Sequence, residues 1–138
     1  MNEPTSSRLG SDSGFTLEGL TTPAFTITHE LSGTGILVRL RGNADSDVAQ
    51  AFEHYLLRLH DQAMRLKLRE VVMDFRELYF LTSSCIKSLG VAIKRLVAED
   101  ARSQYHIRFV TTPTLRWQER SFEVLCQLAP LLVSTSPD

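Results

Sequence analysis

The first sustained pattern along the chain is an alternation. Phe25 and Ile27, with His29, fall on one side of an extended segment, and Ile36-Leu37-Val38-Arg39-Leu40 follows after Gly33-Thr34-Gly35. Successive strand side chains point to opposite faces and glycine accepts the backbone angles of tight turns, so this reads as a β-hairpin. After Gly42-Asn43-Ala44-Asp45 the period changes. Val48, Phe52, Tyr55, Leu56, Leu59, Ala63 and Leu66 recur every three or four residues, which is one face of a helix. Asp45 or Ser46 is placed to cap it, and Asp47, Glu53, Arg58 and Asp61 form its wet side.

The run Val71-Val72-Met73-Asp74-Phe75 is short and nearly continuous in apolar residues, which predicts a central strand covered on both faces. A second helix begins near Ser83 or Ser84 and turns Ile86, Leu89, Ile93, Leu96 and Val97 inward, with Gly90 marking close packing. Tyr105 to Val110 reads as the next strand. Thr112-Pro113 then offers a cap and a first-turn proline to a third helix carrying Leu115, Phe122, Leu125, Leu128 and Ala129, and Pro130 ends it. Leu131-Leu132-Val133 is a candidate edge strand.

Residues 1–22 are rich in Ser, Thr, Gly and acidic groups without an apolar period, so a mobile tail is expected there. A domain over 23–134 and a polar end at 135–138 complete the expected organisation. The fold class is α/β, with a mixed sheet of four to five strands, helices packed on it and the order ββαβαβα. Its two βαβ crossovers require parallel pairing and right-handed connections. In open α/β sheets the ligand edge lies beyond the C-terminal ends of the strands. That edge gathers Gly42–Asp45, Leu78–Ser84 and Thr111–Pro113.

Composition narrows the function classes. The 138 residues suit one domain, and 43% apolar against 22% charged residues suits a packed core. A net charge of −1 offers no general attraction to nucleic acid or to an anionic membrane, and Arg65-Leu66-Lys67-Leu68-Arg69 reads as a solvated helix end. No apolar run approaches membrane-spanning length, so a cytoplasmic protein with neither membrane nor nucleic acid as partner is expected. Cys85 and Cys126 lie far apart in sequence and read as reduced thiols. The four histidines lack the spacing of a metal pair, and no Gly-rich phosphate loop or nucleophile elbow is present. No metal, cofactor or catalytic residue is assigned.

The informative stretch runs from Val72 to Leu89, reading as strand, apolar loop and helix start. Hydroxyls cluster where unpaired N–H groups and the helix dipole favour negative charge by about 0.3–1 kcal/mol. A phosphate of about −1.5 to −2 charges placed there, beside Tyr79, Phe80 and Leu81, would disrupt an apolar contact with a partner.

Here the chain resembles the STAS domain family, which includes the bacterial anti-sigma factor antagonists. The family pattern is an apolar strand ending in Asp, a loop with an apolar pair, then Asp-Ser-Ser-Gly opening a helix. This chain has Val71-Val72-Met73-Asp74-Phe75, Phe80-Leu81, Thr82-Ser83-Ser84-Cys85, then Ile86 and Leu89. An earlier strand-Gly-x-x-Asp-helix feature is matched by Leu37 through Gly42-Asn43-Ala44-Asp45, and the likeness runs from about Phe25 to Val133. Two positions depart: Thr82 stands where the family commonly has Asp, and Cys85 where it has Gly.

The resemblance implies a regulatory protein-binding domain. Ser84, with Ser83 beside it, would be the phosphorylation site for a serine kinase. Asp45, Tyr79, Phe80, Leu81, Thr82 and Lys87 would meet the partner, a kinase-type anti-sigma factor or a related signalling protein. Oligomeric state is left open. The alternatives are a constitutive STAS scaffold without phosphorylation and a thiol-dependent enzyme or redox sensor at Cys85. Helix capping by Ser83 and Ser84, and an inert packed Cys85, are the ordinary structural readings of the same residues.

Overall fold

The computed structural model describes residues 17–137. Strands Leu20–Thr21 (β1), Phe25–Ser32 (β2) and Gly35–Ala44 (β3) come first, then helix Ala49–Arg65 (α1) and strand Glu70–Leu81 (β4). Helix Ser83–Val97 (α2), strand His106–Thr111 (β5), helix Arg116–Gln127 (α3) and strand Val133–Pro137 (β6) follow among the described residues. The six strands lie in the sheet in their order along the chain, the first three antiparallel to one another and β3 to β6 parallel. Mixed α/β architecture was expected; the sheet has six strands rather than four or five.

Three parallel crossovers all step the same way along the sheet, so right-handed connections put α1, α2 and α3 on one face. Burial agrees. Ile36, Val38, Leu40, Val71, Met73, Phe75, Ile107 and Phe109 are buried in one core with Phe52, Leu56, Leu59, Leu89, Ile93, Phe122 and Leu125 of the helices. The ring centroids of Phe75 and Phe109 lie 4.5 and 4.9 Å from that of Phe122. The other face is open. Val72 was expected to be covered on both faces but is only half-buried, and it neighbours Leu37 and Arg108 across the sheet.

Asp74 belongs to that open face yet is nearly buried, because Arg76 folds back on it. Its carboxylate accepts from the Arg76 backbone N–H and Nε at 3.0 Å and from Nη2 at 2.8 Å, with Arg39 Nε 3.9 Å away. Burial draws the carboxyl upward, but the hydrogen bonds and charge of Arg76, with Arg39 behind, outweigh it and hold it below the usual carboxylate range. Arg41–Glu77 at 3.1 Å and Arg108–Glu70 at 3.5 Å pair further charges on the same face.

Several sequence boundaries move. Leu17 is buried and Leu20–Thr21 pair with Ile27 and Thr26, so the domain begins before position 23; residues 1–16 of the expected tail lie outside the described residues. Strand β4 runs on through the supposed apolar loop. From Asp74 to Leu81 it takes seven steps where β3 takes five from Arg39 to Ala44, so two bulges insert one extra residue each. Burial then falls on Phe75, Leu78 and Leu81, every third residue rather than every second.

Strand β5 ends level with Phe75, since Asp74 pairs with Val110, and the upper half of β4 loses its neighbour on that side. Gln118 replaces it. Fully buried, it donates from Nε2 to the Phe75 carbonyl at 2.6 Å and the Leu78 carbonyl at 3.3 Å, and its Oε1 accepts from the Thr112 N–H at 3.0 Å. Its amide thus substitutes for a strand edge. Helix α3 starts at Arg116, not at Thr112-Pro113, because Thr112 closes a turn instead: its carbonyl accepts from Leu115 N–H at 3.2 Å. The last strand begins at Val133, after the apolar Leu131-Leu132, and absorbs Thr135 to Pro137 of the expected polar end, while position 138 lies outside the described residues.

Glycine is required at Gly42, where φ is +99° and a Cβ would lie 2.1 Å from the Ala24 carbonyl oxygen. Gly90 is different, since a Cβ there would meet Leu128 and Leu125 side-chain carbons at 3.6 and 3.8 Å, ordinary contact distances. Gly90→Ala should therefore raise unfolding stability by about 0.5–1 kcal/mol. Gln118→Ala should lower it by about 3 kcal/mol, because two buried carbonyls and one N–H lose their partner. Urea unfolding checks both; a neutral Gln118→Ala would show that water replaces the amide.

Candidate functional site

Two loops meet at the top of β3 and β4. Ala44 pairs with Leu81, and the Thr82 N–H donates to the Ala44 carbonyl at 2.9 Å, so Asp45 and Thr82 leave the sheet side by side. Asp45 accepts the Asp47 N–H on Oδ1 at 3.0 Å, capping the 3₁₀ turn Ser46–Val48 that leads into α1. Thr82 is the extended residue before α2, with its carbonyl taken at 3.0 Å by the N–H groups of both Cys85 and Ile86. Its hydroxyl makes no capping bond.

Ser83 and Ser84 are exposed in the first turn of α2. Their N–H groups belong to the end of a helix that has no acceptor of its own for them, so the site carries fixed donors and the positive end of the helix dipole. Thr82, not either serine, occupies the capping position, which separates both hydroxyls from the ordinary capping role. Ser88 Oγ donates to the Ser84 carbonyl at 3.2 Å, and Lys87 lies exposed three residues after Ser84.

The apolar trio divides. Tyr79 and Phe80 are 58% and 50% exposed, whereas Leu81 is 5% exposed and belongs to the core. The second bulge is the cause: the register passes from Leu78 to Phe80 opposite Gly42 and Asn43, so Tyr79 is the inserted residue and Leu81 turns inward. Leu81 is therefore removed from the expected partner-contact set. The single rim that the strand ends suggested also divides. Thr111 leaves the sheet four β3 residues short of the Ala44–Leu81 pair once the two bulges are allowed for, about 13 Å of strand at ~3.3 Å per residue. Asp45 and Thr82–Ser84 come together; Thr112 and Pro113 stand apart.

Cys85 sits fully buried under this turn, and its helical backbone accepts a Cβ without strain. Burial, aided by the Asp45 charge, pushes its thiol up from 9.0 to about 11, opposing what a helix N-terminus alone would do. Position 85 thus works as core filling. Cys85, Leu89 and Ile93 share one face at four-residue spacing, so the inward place of Cys85 follows the helical period, whereas Ile86 is half-buried and Val97 is 47% exposed rather than turned inward.

Three of the four histidines hold the scaffold, and His54 is exposed on α1. His60 Nδ1 lies 2.7 Å from the Tyr105 hydroxyl and Nε2 2.8 Å from Glu99 Oε2, tying α1 to the segment between α2 and β5. His29 Nδ1 lies 3.0 Å from the Tyr55 hydroxyl, and His106 Nε2 2.9 Å from Ser134 Oγ. Each is a polar pair spanning two elements, which spacing along one element cannot reveal. Trp117 is half-buried with its ring 5.9 Å from that of Phe122. Among the described residues no group of three or more metal-ligating side chains comes together, and no helix is long and apolar enough to cross a membrane.

No family model matches the chain, and no curated protein matches it either. Solved structures do. An anti-sigma factor antagonist from Mycobacterium paratuberculosis superposes with a TM-score of 0.59 at 17% identity, over 83% of this chain and 90% of its own. The NMR structure of the protein TM1081 gives a TM-score of 0.53 at 11% identity, over 94% of this chain and 90% of its own. The antisigma-factor antagonist STAS domain from Rhodobacter sphaeroides is 21% identical over 64% of this chain and 88% of its own, with a TM-score of 0.48. With the six described strands in chain order and the three described helices on one face, the chain shares the fold of the anti-sigma factor antagonist from Mycobacterium paratuberculosis.

Proposed function

We propose that the chain is a regulatory protein-binding domain whose upper edge, at Asp45, Tyr79, Phe80, Thr82 and Lys87, engages a kinase-type anti-sigma factor or a related signalling partner. Phosphorylation of Ser84, or of Ser83 beside it, lowers that affinity. The observation that carries this reading is the exposure of both serines in the first turn of α2 at the head of a strand that presents Tyr79 and Phe80 to solvent. Unpaired helix N–H groups tolerate the phosphate within the fold. Its negative charge adds to that of Asp45, which leaves the sheet beside Thr82, and enters whatever contact Tyr79 and Phe80 make, where it must be desolvated or repelled. The regulated process is then transcription, and the compartment the cytoplasm.

A constitutive scaffold is the second reading, favoured by Thr82, which places no carboxylate beside the serines. The two separate on whether phosphate is found. Peptide mass spectrometry of protein from its native cells should find phosphate on Ser84. Ser84→Ala should bind the partner like the unmodified chain, and Ser84→Asp more than a hundredfold more weakly, the ratio that about 3 kcal/mol produces. Equal partner affinities for the two variants would exclude the switch.

A thiol enzyme or sensor at Cys85 does not fit a buried thiol shifted toward 11. Iodoacetamide at neutral pH should label Cys85 in the folded chain about a hundredfold more slowly than in urea, since two pKa units separate the thiolate fractions. Because the folded value is the higher one, the protonated thiol favours folding. Its contribution is present in full below about pH 9 and is lost as pH rises through 11. Rapid native labelling at pH 7 would restore the thiol reading.

A further inference from the structure

The outward face of α2 has a composition unlike the rest of the surface. Ser84, Lys87, Val91 and Lys94 recur at three- and four-residue spacing with Arg95 beside them, one continuous stripe on the helix. Ser83–Val97 contains three cationic residues and no Asp or Glu, although the whole chain carries a net charge of −1. Among the described residues none of the three has an ion-pair partner, whereas Arg39, Arg41 and Arg108 on the open sheet face are each matched to a carboxylate.

An apolar centre accompanies the charge. Val91 is 42% exposed in the middle of the stripe. Leu128, just past the end of α3 and 43% exposed, reaches to within 3.6 Å of where a Gly90 Cβ would stand, and Gly90 lies three residues from Lys87 and four from Lys94, so Leu128 flanks the stripe beside those two cations.

We infer that this face of α2 is a docking surface for an acidic amphipathic segment of a partner protein, with carboxylates set around an apolar side chain. Unneutralised cations recruit carboxylates over distance, and Val91 with Leu128 supplies the area that holds them once docked. Three cations around an apolar centre suit a protein segment better than a phosphate backbone, which needs a longer basic track and leaves the apolar residues without use. The surface also extends the proposed switch, on which its regulation rests: Ser84 heads the stripe one turn from Lys87, so a phosphate there neutralises the nearest cation and repels the incoming carboxylates.

The test uses the full chain, isotopically labelled for NMR, titrated with a helical peptide of Glu and Leu in amphipathic spacing, with the same peptide carrying Lys for Glu, and with a short DNA duplex. The acidic peptide should shift the amides of Lys87, Val91, Lys94 and Leu128. Its affinity should fall about tenfold or more with added salt, with the Lys peptide and in the exposed double variant Lys87→Glu/Lys94→Glu, whose retained spectrum reports an intact fold. Equal affinity for the two peptides, shifts centred on the sheet face, or tighter binding of the duplex would overturn the surface. Ser84→Asp separates the two ideas: weaker acidic-peptide binding supports the coupling, and unchanged binding at the same amides overturns the coupling while the surface stands.

Discussion

The arrangement at the top of the molecule depends on one strand outlasting its neighbour. Parallel β5 stops level with Phe75, and β4 continues to Leu81 with β3 as its strand partner among the described residues. A buried strand cannot leave its carbonyls unpaired without a cost of about 1–3 kcal/mol each. Gln118, sent across from α3, answers that demand with one amide that serves both β4 and the turn after β5. Everything proposed for the site is built on that continuation, since it sets where α2 begins and which residues precede it.

The two bulges are the second half of the same device. Without them β4 would alternate strictly, and two consecutive aromatic residues could not both face solvent. With them, three core residues anchor the strand at every third position while Tyr79 and Phe80 stand outside. Asp74 secures the other side by gathering Arg76 and Arg39, so the open face is closed by ion pairs rather than by a second layer of helices.

These features explain how much could be read in advance. Helix α1 was legible in detail because its inward residues, from Phe52 to Ala63, keep a helical period and its outward ones are charged. The hairpin was legible because Gly33 marks its turn. The upper half of β4 was not, since bulges erase the period of two, and Leu81 was misplaced with it. The open face escaped because Val72 and Asp74 look like core in a one-dimensional apolar run. Gln118 carries no local signal at all: its role exists only where strands of unequal length meet. At the site, the clustering of Ser83 and Ser84 before an inward-facing helix was legible, and so was the burial of Cys85, four residues before Leu89 and eight before Ile93.

The order of strands in space has a consequence for how the chain can be made. Each strand joins the edge left by the one before it, and none is inserted between two already paired. A ribosome delivering residues from the N-terminus therefore exposes, at every stage, an edge whose natural occupant is the next segment to emerge. Assembly by simple accretion needs no edge to be reopened, which limits the time any unpaired strand is available to a neighbouring chain.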